Sequence, residues 1–184
     1  MSDFWEFSNG PPLKDAKYER RKNAPSGIKS KLDILTKTFF RAVSFTHGKM
    51  PHYNELYNLF INEGLLIKNN TETPEISSIS QFVEPRRKLV ISGQLTSFTE
   101  FEQSEITEIF GNEAHRLSTY EKSGTLNGSM FNTKGIISTQ FIMTPLGWKM
   151  NAMAWDDERP GLTIPIRYKS AGPALRTGAR GVNY

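Results

Sequence analysis

The 184-residue chain predicts an α+β fold, a cone-shaped, bent antiparallel sheet wrapped around three N-terminal helices. Two observations set the class. The first half holds three segments with apolar residues at helical spacing, and from Leu95 onward the pattern becomes long strands punctuated by turn signals. A third observation sets the environment of the sheet. Residues 141–155, FIMTPLGWKMNAMAW, read as two strands joined by a tight turn at Thr144-Pro145-Leu146-Gly147. Their apolar residues fall on both faces, as in a sheet covered on both sides.

Residues 1–27 form an arm, with Gly10-Pro11-Pro12, a charged run from Lys14 to Lys22 and Pro25-Ser26-Gly27; Phe4, Trp5 and Phe7 are its candidate anchors. Helix one is expected from Ile28 to Phe45, because Ile28, Leu32, Leu35, Phe39 and Val43 share a face opposite Lys29, Lys31, Asp33 and Lys37. Helix two follows Pro51, with Tyr53, Leu56, Tyr57 and Phe60 on one side, and is expected to stop at Gly64. Leu65-Leu66-Ile67 is a short buried strand, and residues 68–75 a polar loop.

Helix three begins at a capping box, Ser78-Ile79-Ser80-Gln81, in which serine and glutamine satisfy each other's backbone donors. Pro85 is expected to kink or restart it, and Gly93 to close it. The strands follow at residues 95–102 and 105–121, the latter broken by a bulge near Phe110-Gly111. Asn127-Gly128 marks a hairpin, and strands at 135–143 and 148–156 complete the sheet. Ile164-Pro165-Ile166 is a candidate edge contact within a basic, flexible tail, residues 159–184. The domain proper is thus expected over residues 28–158.

The net charge of +4 is unevenly spread: +1 over residues 1–28, −2 over 29–158 and +5 over 159–184. A nucleic-acid-binding domain carries its basic patch on the folded surface, so that class is set aside. With no cysteine, disulfides, thiolate catalysis and iron–sulfur clusters are excluded. No run approaches the ~18 apolar residues of a membrane span, and acids stand where a secretory leader needs bases. The expectation is a cytoplasmic protein with neither a nucleic-acid nor a membrane partner. His47, His52 and His115 lack metal-ligand spacing, and no phosphate loop or nucleophile elbow occurs, so no metal or cofactor is expected. The basic run Arg86-Arg87-Lys88 reads as a solvated helix turn.

Residues 55–60 (ELYNLF) running into 64–67 (GLLI), then 110–114 (FGNEA) with 118–121 (STYE), carry a resemblance. Residues 134–138 (KGIIS) and 147–156, from Gly147-Trp148-Lys149 to Trp155-Asp156, extend it. In this order and spacing, over residues 28–157, they resemble the nuclear transport factor 2-like superfamily, which includes ketosteroid isomerases and SnoaL-like cyclases. That fold hosts many unrelated functions. The isomerase register puts the base at Lys68 or Asn69, the second acid at Thr139 and the oxyanion tyrosine near Arg41. None of these residues suits its role, so isomerase chemistry of that kind is not expected.

The resemblance also implies which way the strands face. A ligand pocket is expected from Arg116, Ser118, Tyr120, Ile137, Thr139, Phe141, Met150, Ala152, Ala154 and Asp156, beside Ala114. The opposite face, with His115, Leu117, Gln140, Ile142, Met153 and Trp155, is expected to form a homodimer interface. Three functions follow. The first is a homodimer with a largely apolar cavity for a small apolar ligand. The second is a SnoaL-like cyclase, isomerase or dehydratase using Asp156 with Tyr57 or Tyr120, against the plainer alternative that Asp156 is solvated and Arg116 pairs with a carboxylate. The third is a protein-interaction module docking through the sheet face.

Overall fold

A computed structural model describes residues 26–169. The arm residues up to 25, with Phe4, Trp5 and Phe7, and the tail beyond 169 lie outside the described residues. Helix α1 (Ser26–Val43) places Leu32, Thr36, Phe39 and Val43 along one buried stripe, and the Thr36 hydroxyl donates to the Leu32 carbonyl at 3.0 Å. A short 3-10 turn (Tyr53–Glu55) and the four-residue α2 (Leu56–Leu59) follow. Helix α3 (Ile79–Ile91) starts at the expected capping box, with Ser78 and Gln81 bonded reciprocally. It runs on through Pro85 as one helix.

Six strands form a single sheet: β1 (Phe60–Lys68), β2 (Glu75–Ser78), β3 (Leu95–Phe110), β4 (Glu113–Leu126), β5 (Ser129–Thr144) and β6 (Gly147–Asp157). Their order is β2-β1-β6-β5-β4-β3. All neighbours are antiparallel except β1 and β6, which run parallel. The α+β class with helices on one sheet face is as expected; the parallel pair is an addition to it. The core lies between that face and α1, α2 and α3, built on Leu32, Phe39, Leu56, Leu66, Val83, Tyr120, Phe141, Met150 and Met153. No helix among the described residues is long and apolar enough to cross a membrane.

Three boundaries differ from expectation. The second helix ends at Leu59, and Phe60 to Gly64 join β1 through an irregularity opposite β6. Gly64 suits it, since a Cβ there would press on Phe60 and the Ile61 carbonyl at 3.0 Å. The supposed bulge at Phe110-Gly111 is a reversal: Phe110 pairs with Glu113, and Gly111-Asn112 turn between them with Gly111 at φ +58°. At the polar loop, Glu75–Ser78 forms strand β2 against β1.

Two true bulges decide where side chains point. In β3, Glu102 pairs with Tyr120 and Ser104 with Thr119, leaving Gln103 extra. In β6, Met150 pairs with Phe141 and Ala152 with Gln140, leaving Asn151 extra. An extra residue reverses the alternation of faces beyond it. Met150, Met153 and Trp155 therefore share the helix face, whereas Ala152, Ala154 and Asp156 lie on the other, a one-residue departure from the expected alternation.

Candidate functional site

Met153 and Trp155 bring the site into view. With Phe39 and Val43 of α1, Tyr53, Phe82 and Arg86 of α3, Leu95, Phe98 and Glu100 of β3, Lys122 and Ile137, they line a recess of about 110 Å³ between helices and sheet. Trp155 meets the Phe82 ring edge-on at 5.9 Å between centroids, which fixes one wall. The opposite wall is held where the chain leaves α1. Phe45 and Phe98 exchange backbone hydrogen bonds at 2.6 and 2.9 Å, and the Glu100 N–H donates to the Ser44 hydroxyl at 2.9 Å. This clamp sets the Glu100 backbone while leaving its carboxyl facing the recess.

The polar groups of the recess, and the Tyr120–Asp157 network behind Lys122, follow from sheet register. Glu100 pairs with Lys122 across β3 and β4, and one inward row along, Tyr120 pairs with Gly135, which pairs with Asp157. The Tyr120 hydroxyl donates to the Asp157 carboxylate, reaching over Gly135. A Cβ at 135 would collide with the Tyr120 hydroxyl and the Asp156 carbonyl, so glycine is required for this contact. Lys122 bonds Asp157 at 2.8 Å, and Asn70 donates to the same carboxylate. Burial pushes the Asp157 carboxyl up, but Lys122 and Tyr120 together hold it below its ordinary value. Burial and the bond to Asp157 push the Tyr120 phenol well up.

Glu100 is different. Its carboxyl has no hydrogen-bond or ion-pair partner among the described residues. Burial pushes it up to about 7, Lys122 and Arg86 opposing the rise and Asp157 adding to it. Arg86 lies over the Phe82 ring at 3.6 Å and donates to the Phe82 carbonyl at 2.9 Å, with no carboxylate partner among the described residues. Burial pulls its pKa down, and burial raises that of Tyr53. An apolar chamber thus carries one titratable acid near neutrality, two cations and a phenol.

The residues expected to line a pocket fall elsewhere for the most part. Ile137 lines the recess. Arg116, Ser118, Thr139, Phe141 and Met150 are sealed beneath α1, each at most 2% exposed. Arg116 grips Glu102 through two bonds of 2.9 and 2.6 Å, and Asp33 of α1 at 2.7 Å; Ser118 donates to Glu102 at 2.6 Å. The Gln103 bulge turns both Glu102 and Glu105 toward this guanidinium. Arg116 is thus an ion-paired strut between β4 and α1, the plainer of its two readings. Ala152, Ala154 and Asp156 face away, and Asp156 pairs with Arg159. Tyr57 is 44% exposed on α2, apart from both. Asp156, Tyr57 and Tyr120 are not brought together.

Of the residues expected at an interface, His115, Leu117, Gln140 and Ile142 lie on the face opposite the helices, where His115 bonds Ser138 at 2.9 Å. Met153 and Trp155 have turned inward. Glu100, Lys122, Asp157, Tyr53 and Arg86 were missed. The adjacent acids Asp156-Asp157 were a usable signal, since a shift of one residue presents one or the other. Arg86, taken as solvated, enters the recess instead. No group among the described residues is arranged to hold a metal ion.

No family model and no curated protein sequence matches the chain. Solved structures do. A nuclear transport factor 2-like superfamily protein from Salmonella enterica serovar Typhimurium aligns with a TM-score of 0.59 at 16% identity, over 86% of this chain and all (100%) of that one. A putative scytalone dehydratase from Novosphingobium aromaticivorans aligns at 0.56 and 10% identity, over 71% of this chain and 84% of its own. LinA aligns at 0.59 and 7% identity, over 71% and 86%. Identities this low speak to the fold alone. On that evidence, the chain has the nuclear transport factor 2-like fold.

Proposed function

We propose that the protein is a homodimer whose recess binds a small, largely apolar molecule. The observation that carries this reading is the chamber itself: apolar walls around a few inward polar groups, two of which, Glu100 and Arg86, lack a carboxylate or donor partner among the described residues. Protein interiors seldom leave such groups unpaired without a reason in function. The test is methyl NMR during titration with short aliphatic alcohols such as propan-1-ol and butan-1-ol. Signals of Ile137 and Met153 should move while those of Ile106 and Ile142, on the opposite face, stay still. Movement confined to the opposite face, or none at all, would overturn the reading.

The homodimer rests on a separate feature. Across the face away from the helices, Ile76, Ile67, Ala154, Ser138, Leu117 and Ile106 form one continuous register row through all six strands. Its ends, Ile76 and Ile106, are 64% and 48% exposed. Six strands about 4.8 Å apart make a row of roughly 25 Å, wide enough for a standard interface. The chain beyond β6 recrosses part of this face, burying Ile164 and receiving a Ser104 hydrogen bond at the Tyr168 carbonyl. Light scattering should give twice the 20.9 kDa chain mass, falling to that of one chain in Ile106→Lys.

Glu100 favours a second reading, proton-transfer catalysis of an isomerase or lyase type. A carboxyl near 7 in a largely apolar recess is poised to take or give a proton at neutral pH. If a substrate is found, Glu100→Gln should lower kcat by ~100-fold or more. An unchanged kcat would remove this reading.

A further inference from the structure

We infer that the recess is built for a small organic carboxylate with an apolar body, its charge held by Arg86 and the Tyr53 hydroxyl, with the Glu100 carboxyl beside it. This deepens the ligand-binding reading of the same recess and rests on it.

The argument begins with charge. Lys122 is committed to Asp157 at 2.8 Å, so that pair is neutral as a unit. Arg86 has no such partner among the described residues. One of its amino groups serves the Phe82 carbonyl and its plane lies on the Phe82 ring, which leaves its remaining N–H groups for a ligand. A cation drawn out of water without a counter-ion is costly, and a guanidinium fork matches a carboxylate in both charge and shape. Tyr53 lines the same recess, and its hydroxyl, with no hydrogen-bond partner among the described residues, adds a donor.

The groups around Glu100 select the sign of the ligand. Arg86 from α3 and Lys122 from β4 face it, along with Asp157 from β6; Tyr53 stands beside Arg86. With Lys122 and Asp157 neutral as a pair, Arg86 is the cation left facing the acid, and it disfavours an amine. A phosphate dianion would bring two charges to Arg86, which can balance one. A monoanion fits, because Glu100 can meet it as a protonated donor. The volume, about 110 Å³, is below the ~150 Å³ that admits benzene, so the apolar body is a short chain or a very small ring.

A pH dependence follows. The carboxyl of Glu100 sits near 7, and an adjacent anion raises it further, so binding takes up protons around neutrality. Affinity should be highest near pH 6, where the ligand is still ionised and Glu100 is mostly protonated, and should fall as Glu100 ionises.

The probes are pentanoate and its neutral isostere pentanamide, titrated into the intact chain with Ile137 and Met153 methyl signals as readout. Pentanoate is expected to bind at least ten-fold more tightly than pentanamide at pH 6, and at least five-fold more weakly at pH 8.5. Arg86→Gln should abolish the preference for the anion while pentanamide binding persists, which also shows that the variant is folded. Glu100→Gln should retain pentanoate binding and flatten its pH dependence. Equal binding of the two probes would overturn the carboxylate inference and leave the recess reading standing. Failure of both probes to move Ile137 and Met153 would overturn the two together.

Discussion

Lys122 and Glu100 are register partners on β4 and β3, yet the ammonium of Lys122 bonds Asp157 on β6, two strands away from its own. The choice is decided by Tyr120 and Asn70, which hold the Asp157 carboxylate in place with their own hydrogen bonds. A fixed carboxylate is the better partner for a lysine, because less of the pairing energy is lost to ordering it. Glu100 is left without a partner among the described residues, and burial holds its carboxyl well above the usual carboxylate range.

Stability should report this directly. The folded-state pKa of Glu100 is raised, so its favourable contribution is full below the ordinary value of 4.5 and is lost as pH rises through about 7. Glu100→Gln should match the parent at pH 4 and exceed it by about 1–3 kcal/mol at pH 8. Urea denaturation across that range measures it. A constant difference between the two proteins would be inconsistent with the raised pKa.

Asp156 and Asp157 give the sharpest test of the Asn151 bulge. Asp157 pairs with Lys122 in a setting where both side chains are under a fifth exposed (13% and 16%). Its pKa is lowered, so it stabilises the fold above its ordinary range and loses that effect on acidification. Asp157→Asn should cost about 2–4 kcal/mol at pH 7. Asp156→Asn, at a partly exposed pair with Arg159, should stay within ~0.5 kcal/mol. Equal costs would mean that the strand faces are assigned one residue out.

Gly135→Ala should destabilise by at least ~2 kcal/mol, because the new methyl meets both the backbone oxygen of Asp156 and the Tyr120 hydroxyl. Thermal unfolding shows the loss. The variant should also release Tyr120, visible as a phenol that titrates at lower pH than in the parent.

Arg116→Met removes the cation between Glu102 and Asp33 and should cost about 3–5 kcal/mol. Adding Glu102→Gln and Asp33→Asn should restore part of it, since the penalty comes from stranded carboxylates. A triple variant no better than the single one would show that Arg116 acts through packing alone.

The elements legible in the sequence were those with strong local physics. The stripe Leu32–Phe39–Val43, the Ser78–Gln81 capping box, and the turns at Asn127-Gly128 and Thr144–Gly147 are written in residues within a few positions of one another. Phe110-Gly111-Asn112 misled because a glycine in a run of β-formers fits a bulge as well as a reversal; pairing Phe110 to Glu113 separates them. Asn151 misled for the opposite reason: it does not advertise a bulge, so the alternation of inward and outward positions expected along residues 150–156 runs straight past it.

By itself, then, the sequence determined the α+β class, the three helical segments ahead of the long strands, and the identity of most core residues, because periodicity and turn chemistry are local properties. Only the tertiary structure decided which carboxylate faces inward. Asp157 rather than Asp156, Trp155 rather than Ala154, and the meeting of Arg86 with Glu100 all depend on one extra residue in β6 and on α3 crossing the sheet. The physical reason is the two-residue period of a strand: a single unpaired residue exchanges its two faces, and only pairing with a neighbouring strand shows where that residue lies.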